Sequence, residues 1–169
     1  MTKRPNDHEG ANARLAPVVR IAGVLIDKGR LLVVRQRVTA ERGWALPGGR
    51  QEKGETIDRC IVREIKEETG LDVRAKGLLY ITDRILDGAH VVHISFEVEK
   101  TPGQKLPEQW THEDPYPSES SGSLREVRMA HIDDLPEMGF PARFRDLVKA
   151  GFPERGSYRG DFVKFYGGA

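Results

Sequence analysis

Hydrophobic and polar positions change rhythm several times along the chain. Residues 18–26 (Val-Val-Arg-Ile-Ala-Gly-Val-Leu-Ile) are rich in β-branched side chains and stop at Asp27-Lys28-Gly29, a turn sequence. Residues 31–37 resume the extended pattern, and together the two runs predict a β-hairpin. Residues 44–49 form a short apolar piece that ends in Pro47-Gly48-Gly49. The period then lengthens to that of a helix, predicted over residues 56–69. Two more strands are predicted at 71–83 and 91–99, with buried centres at 78–81 and 91–94. Residues 100–123 hold Pro, Ser, Gly, Glu and His without any period, and predict a long loop of the functional or disordered kind. A short strand at 127–132 and a helix at 141–150 follow, the helix with Pro141 at its start and Gly151 just past its end. The expected organisation is a disordered tail over 1–16, one domain over 17–152 and a C-terminal tail over 153–169. The aromatic residues Tyr158, Phe162, Phe165 and Tyr166 leave that last segment free to pack on the body, on a second subunit, or nowhere. This order of elements argues for an α/β or α+β domain with a mixed sheet.

Composition narrows the class. A chain of 169 residues fits one domain, and 27 Lys+Arg against 26 Asp+Glu leaves a net charge of +1. No overall pull toward DNA, RNA or an anionic membrane is implied. No apolar run is long enough to span a bilayer, and residues 1–16 lack an apolar signal segment, so a soluble cytoplasmic protein is expected. A lone cysteine, Cys60, rules out an internal disulfide and any paired-cysteine zinc site, and its place on the apolar helix face predicts an inert thiol.

Candidate chemistry concentrates between Gly49 and Leu71. Rotation by 100° per residue puts Ile57, Cys60 and Ile61 on one stripe, and Glu64 and Glu68 continue it, with Glu67 at its edge. Arg59, Arg63 and Lys66 fall on the opposite side. Carboxylates on an inward face repel each other, and burial raises the penalty, so the pattern asks for a hard divalent cation. Mg²⁺ shares its shell between carboxylate and phosphate oxygens, and the Gly48-Gly49 turn lets backbone come close. A solvated Glu-rich face on a helical interaction protein explains the same residues more simply, but not the β-rich flanks.

The segment matches the Nudix box, G-x5-E-x7-R-E-U-x-E-E-x-G-U with U a bulky aliphatic residue, at Gly49, Glu55, Arg63, Glu64, Ile65, Glu67, Glu68, Gly70 and Leu71. At about 1 in 15 per fixed residue, its seven invariant letters recur by chance roughly once in 10^8 windows. The box covers 23 of 169 residues. Residues 44–49 resemble the usual approach to the box, and residues 126–135 resemble a later strand of the family. The likeness to Nudix hydrolases therefore spans roughly residues 18–150.

That resemblance implies an α/β/α sandwich with a mixed, partly closed sheet. It implies hydrolysis of a nucleoside diphosphate linked to another moiety, with Mg²⁺ or Mn²⁺ as cofactor. By position, Glu64 and Glu68 are the expected direct ligands, with Glu67 a third and the Gly49 carbonyl beside them. Arg63 would orient the carboxylates and pair with Glu55. The general base is Glu64 in some branches and a Glu on a distal loop in others. Glu108, Glu113, Asp114 and Glu119 are available on the long loop, with Glu119 favoured; where many members carry a Glu, this chain has Ser123. Neither the proline that marks ADP-ribose branches nor the tyrosine of dinucleoside polyphosphate branches follows the box, and the coenzyme A signature is missing. The surrounding pattern stays nearest the ADP-ribose pyrophosphatase-like group, with ADP-ribose or a nucleotide sugar expected. Nucleoside triphosphate cleansing of the 8-oxo-dGTP type comes next, and a non-catalytic nucleotide-binding module last.

Trp44, Tyr80, Phe96 and Trp110 are aromatics able to stack on a base, although buried aromatics ordinarily serve a core; Trp110, in a polar loop, is the best of the four, and Trp44 and Trp110 are the substrate-binding candidates. Arg37 and Arg84, then Arg35, are candidates for phosphate or ribose. His90 and His93, three apart on a strand, face opposite sides and do not share a metal. The expected partner is a small nucleotide, without nucleic acid or membrane. Homodimers are common in the family, and the aromatic C-terminal segment is a candidate contact for one.

Overall fold

A computed structural model of the chain describes residues 16–36, 43–107, 109–111 and 124–167. Among the described residues, ten strands, three α-helices and one short 3-10 turn follow in the order β1 (Val18–Val24), β2 (Ile26–Asp27), β3 (Arg30–Gln36), β4 (Trp44–Ala45), β5 (Gly48–Arg50), α1 (Ile57–Thr69), β6 (Val73–Leu86), β7 (Ala89–Lys100), β8 (Gln109–Thr111), β9 (Leu124–His131), the turn Ile132–Asp134, α2 (Ala142–Lys149), β10 (Ser157–Asp161) and α3 (Phe162–Tyr166). One sheet runs β10-β6-β7-β1-β5 and mixes parallel with antiparallel pairs. The other runs β2-β3-β9-β8, with β4 on β3, and all its pairs are antiparallel.

Strand β3 shows the layering. Leu31, Leu32, Val33 and Val34 are all fully buried, although successive side chains point to opposite faces. Leu32 and Val34 join a core with Ile61 and Ile65 of α1, whereas Leu31 and Val33 join one with Phe144 of α2 and Phe165 of α3. A strand covered on both faces reads as a continuous apolar run, and helices on both sides of the sheets make the α/β/α sandwich. Burial of Ile61 and of Ile65 contributes roughly 1.5–3 kcal/mol each. Helix α1 packs so closely on β1 that a side chain at Gly23 would strike Ile65. Among the described residues no helix is long and apolar enough to cross a membrane.

Three expectations are corrected. The predicted hairpin of residues 18–26 and 31–37 is split between the two sheets. β1 pairs in parallel with β7 and antiparallel with β5, and only Ile26–Asp27 turns back on β3. A period-2 pattern shows that a run is extended but not which strand it pairs with. The long loop holds a short strand, β8, paired through its backbone to β9. The strands after α1 run to Leu86 and from Ala89, joined by Asp87-Gly88 with φ of 50° and 78°, the two left-handed residues of a tight hairpin turn. Of the options open for residues 155–169, packing on the body holds: β10 pairs in parallel with β6, and Phe165 and Tyr166 are buried in the core.

Candidate active site

Helix α1 begins and ends as its sequence dictates. Thr56 precedes it in extended conformation, and Gly70 closes it with φ of 61° and an N–H donated to the Lys66 carbonyl. Its buried residues are Cys60, Ile61, Ile65, Glu68 and Thr69, so a carboxylate does lie on the inward stripe. The Cys60 thiol is pushed up to about 12 by burial and is inert. Opposite stands the turn before β5. The Pro47 carbonyl accepts the Gly23 N–H at 2.9 Å and so ties this turn to β1. Gly48 has a φ of 147°, and a side chain there would strike the Ile21 carbonyl. Only glycine fits, and the backbone N–H it presents to the helix donates to Glu68 Oε2 at 2.8 Å.

Gly49 serves differently. The space a side chain would fill at this position holds the carboxylate of Glu64. Both Glu64 and Glu68 thus lie against the glycine turn, one replacing a missing Cβ and one bonded to the backbone.

Arg63 binds this group together. Its Nε donates to Glu55 Oε1 at 2.8 Å and its Nη2 to Glu55 Oε2 at 2.9 Å, a two-point pairing. Its Nη1 donates to Glu64 Oε1 at 3.0 Å and to Glu67 Oε2 at 3.1 Å. Read from the helical wheel as lying opposite the carboxylates, Arg63 instead reaches round the flank of α1; its long stem spans what the 100° step alone does not. The Glu55 carboxyl is held down at about 2, chiefly by the Arg63 hydrogen bond, and the guanidinium is raised in turn. Glu64 moves the other way: burial raises it, against the opposing pull of Arg63, and Glu67 adds to the rise.

Glu55, Glu64 and Glu67 are thus bonded to one guanidinium, and Glu68 to the Gly48 N–H. Among the described residues no three or more acidic, His or Cys side chains are grouped so as to hold a metal ion by themselves, so a cation here would also need backbone, water or substrate oxygens. Carboxylate oxygens and a backbone carbonyl at a turn stripped of side chains suit an ion that keeps part of its water shell, as Mg²⁺ does. On that chemistry the residues fit the metal.

Beside the turn opens a cavity of about 430 Å³, a size ordinary for a small-molecule site. Gly48 and Gly49 lie on its rim, Arg20, His93 and Arg84 on its strand floor, and Trp44, Phe144 and Phe162 along its walls. The Trp44 ring carries the guanidinium of Arg128 on one face at 4.4 Å, and Arg128 does not line the cavity, so the ring is propped from behind. Two of the residues singled out for substrate, Trp44 and Arg84, line this cavity. Tyr80 is buried in the core, its hydroxyl donating to the Pro153 carbonyl, and Phe96 packs on the other core. The side chain of Trp110, together with Arg37, Glu108, Glu113, Asp114, Glu119 and Ser123, lies outside the described residues. His90 and His93 do diverge: His90 Nε2 sits 2.8 Å from Asp83 Oδ2, and His93 lines the cavity. Sequence reasoning passed over Arg20, Ser95 and Phe162 as site residues; they line one cavity only because β1, β7 and α3 meet there.

Residues 14–149 match the NUDIX domain family model, and the chain belongs to that family of Nudix hydrolases. It is 31% identical over 130 residues to the ADP-ribose pyrophosphatase of Methanocaldococcus jannaschii, covering 75% of this chain and 69% of that one. It is 32% identical over 144 residues to a MutT-like protein of Streptomyces ambofaciens, covering 79% and 88%. Two further curated relatives are much longer, and the chain spans 30% and 38% of their lengths. A crystal structure of a UDP-X diphosphatase superposes with a TM-score of 0.63 at 21% identity, covering 89% of this chain and 71% of that one, a likeness of fold. Nudix hydrolases are generally dependent on a divalent metal and act on small nucleotides.

Proposed function

We propose that this chain is a Mg²⁺-dependent hydrolase of the diphosphate linkage in a nucleoside diphosphate joined to a second moiety, with ADP-ribose or a nucleotide sugar as substrate. The carrying observation is the seating of the Glu64 and Glu68 carboxylates on the Gly48-Gly49 turn at the rim of the cavity. Glu64, Glu67, Glu68 and the Gly49 carbonyl would hold the ion, either Mg²⁺ or Mn²⁺. Once bound, the metal supplies charge neutralisation of the diphosphate and a water of lowered pKa. Arg63 fixes the directions of Glu64 and Glu67, and Glu55 fixes Arg63 through its two-point bond. The box position that Glu64 occupies serves as general base in some branches of the family. Glu64 is thus the candidate base among the described residues, with Glu119 the distal alternative. Trp44 offers a ring for the base, and Arg84 a guanidinium for phosphate; Trp110 and Arg37 remain further candidates for those roles. Phosphoryl chemistry asks mainly for positioning and charge stabilisation, which suits carboxylates on a rigid helix.

The likeness to an ADP-ribose pyrophosphatase supports this substrate class. The MutT-like relative keeps nucleoside triphosphate pyrophosphohydrolysis as the second reading. The test is product analysis with Mg²⁺ over ADP-ribose, nucleotide sugars and 8-oxo-dGTP. Cleavage between the phosphates of the first two is expected, with turnover at least ~10^3-fold lower in Glu68→Gln, a barrier increase of about 4 kcal/mol. Unchanged turnover in Glu68→Gln would defeat the assignment. Preference for 8-oxo-dGTP would replace the substrate class.

A further inference from the structure

The cavity floor carries polar groups that the carboxylates seated on the neighbouring glycine turn do not use. Arg20 on β1 sits in register with His93 on β7, and His93 with Thr82 on β6. Arg84 lies two residues beyond Thr82 and so on the same face. Arg20, His93 and Arg84 form one row across three strands, and all three line the cavity. His93 Nε2 and Arg84 Nε are buried and have no hydrogen-bond partner among the described residues. Buried polar atoms without partners are rare, and both of these belong to side chains that line this cavity. Phe162 holds both groups in place: its ring lies 4.4 Å from the His93 ring, centroid to centroid, and 5.9 Å from the Arg84 guanidinium carbon.

The chemistry of the row selects the ligand. No Asp or Glu is among the described residues that line the cavity. Sugar hydroxyls each donate as well as accept, and a site for them ordinarily supplies acceptors too. Two guanidiniums and an imidazole N–H offer donors and positive charge, the recipe for anionic oxygen. We propose that Arg20, His93 and Arg84 form an anion subsite that holds a second phosphate of the substrate, beyond the one engaged at the carboxylates. This rests on the function proposed above. Burial first, then Arg20 and Arg84, lower His93 to about 4, so its imidazole is neutral at neutral pH and the positive charge resides on the guanidiniums. The second phosphate is either the other phosphate of the linkage or one carried elsewhere on the nucleotide.

Calorimetric titration of the full chain in EDTA tests this without metal or turnover, using adenosine, AMP, ADP and adenosine 3′,5′-bisphosphate. At least one of the two diphosphorylated probes is expected to bind more tightly than AMP. Arg84→Gln and the more exposed Arg20→Gln should each remove that advantage, by about tenfold or more, and leave adenosine unchanged. The tighter probe should also move the imidazole resonances of His93. A gain with ADP assigns the linkage phosphate, and a gain with the bisphosphate assigns one outside it. The proposal is overturned if neither probe improves on AMP, or if the variants weaken adenosine as much as the phosphorylated probes. Binding as described in a chain that hydrolyses nothing with Mg²⁺ would retire the proposed function and leave the subsite standing. Glu68-dependent hydrolysis without the second-phosphate gain would do the reverse.

Discussion

Two groups of charged side chains, the carboxylates seated on the Gly48-Gly49 turn and the row on the floor of the neighbouring cavity, have opposite sign and are assembled by different routes. On the α1 side, Glu64, Glu67 and Glu68 come from a single turn and a half of helix, and Glu55 from the turn just before it, with Arg63 among them. On the strand floor, Arg20, Arg84 and His93 come from three strands that are neighbours only after folding. The acidic side is internally bonded; the basic side holds two buried polar atoms without partners. Under the two proposals above, a substrate with more than one phosphate would meet both, through a cation at the carboxylates and directly at the row of Arg20, His93 and Arg84. The lesson is that one group of charged side chains is written within a single helix and the turn before it, whereas the other is assembled only by tertiary structure.

The adjacent glycines at the junction give the sharpest way to break this contrast. At Gly48 an added Cβ meets fixed backbone, the Ile21 carbonyl, with φ at 147°. Gly48→Ala should cost more than ~3 kcal/mol of stability, read as a fall in the urea midpoint. At Gly49 an added Cβ meets only the movable end of Glu64. Gly49→Ala should therefore cost less than ~1 kcal/mol of stability yet displace a candidate ligand and lower turnover at least ~100-fold. Equal stability losses at the two positions would refute the distinction.

The acidic side was legible because its chemistry is local. Residues 56–69 obey the helical period, Gly70 marks the end, and the carboxylates fall on the inward stripe by spacing alone. What spacing could not show is the reach of Arg63, whose long stem carries it off its own face. The basic side was legible only in part. Arg84 and Trp44 were singled out by residue type, but Arg20 and His93 are 73 positions apart and meet through a parallel β1–β7 pair. No sequence period reports such a pairing. The split of the expected hairpin has the same cause. By contrast Asp87-Gly88 was a readable turn signal, and it would have extended both strands it joins. At the C-terminus β10 and α3 are five residues each, too short for any period to declare itself.

A smaller effect separates two carboxylates on the acidic side itself. Glu55 is depressed from 4.5 to about 2, so its contribution to stability is complete above 4.5 and is lost as pH falls toward 2. Glu64 is raised, so its ionised form opposes folding at neutral pH, and that penalty lifts as pH drops through its raised value. Urea unfolding between pH 2 and pH 7 should show a wild-type advantage over Glu55→Gln that is constant near neutrality and closes across the window from 4.5 to 2. Glu64→Gln should lose less stability at neutral pH than Glu55→Gln. The reverse order would mean that Arg63 is anchored by Glu64 rather than by Glu55.

The account stands or falls on the cation. Titration of the full chain with Mn²⁺, followed by the loss of the free-ion paramagnetic resonance signal, measures it directly. Binding by the wild-type chain should weaken at least tenfold in both Glu64→Gln and Glu68→Gln, while both variants keep a cooperative unfolding transition. Mn²⁺ affinity unchanged in the two folded variants would contradict the claim that these carboxylates form the metal platform.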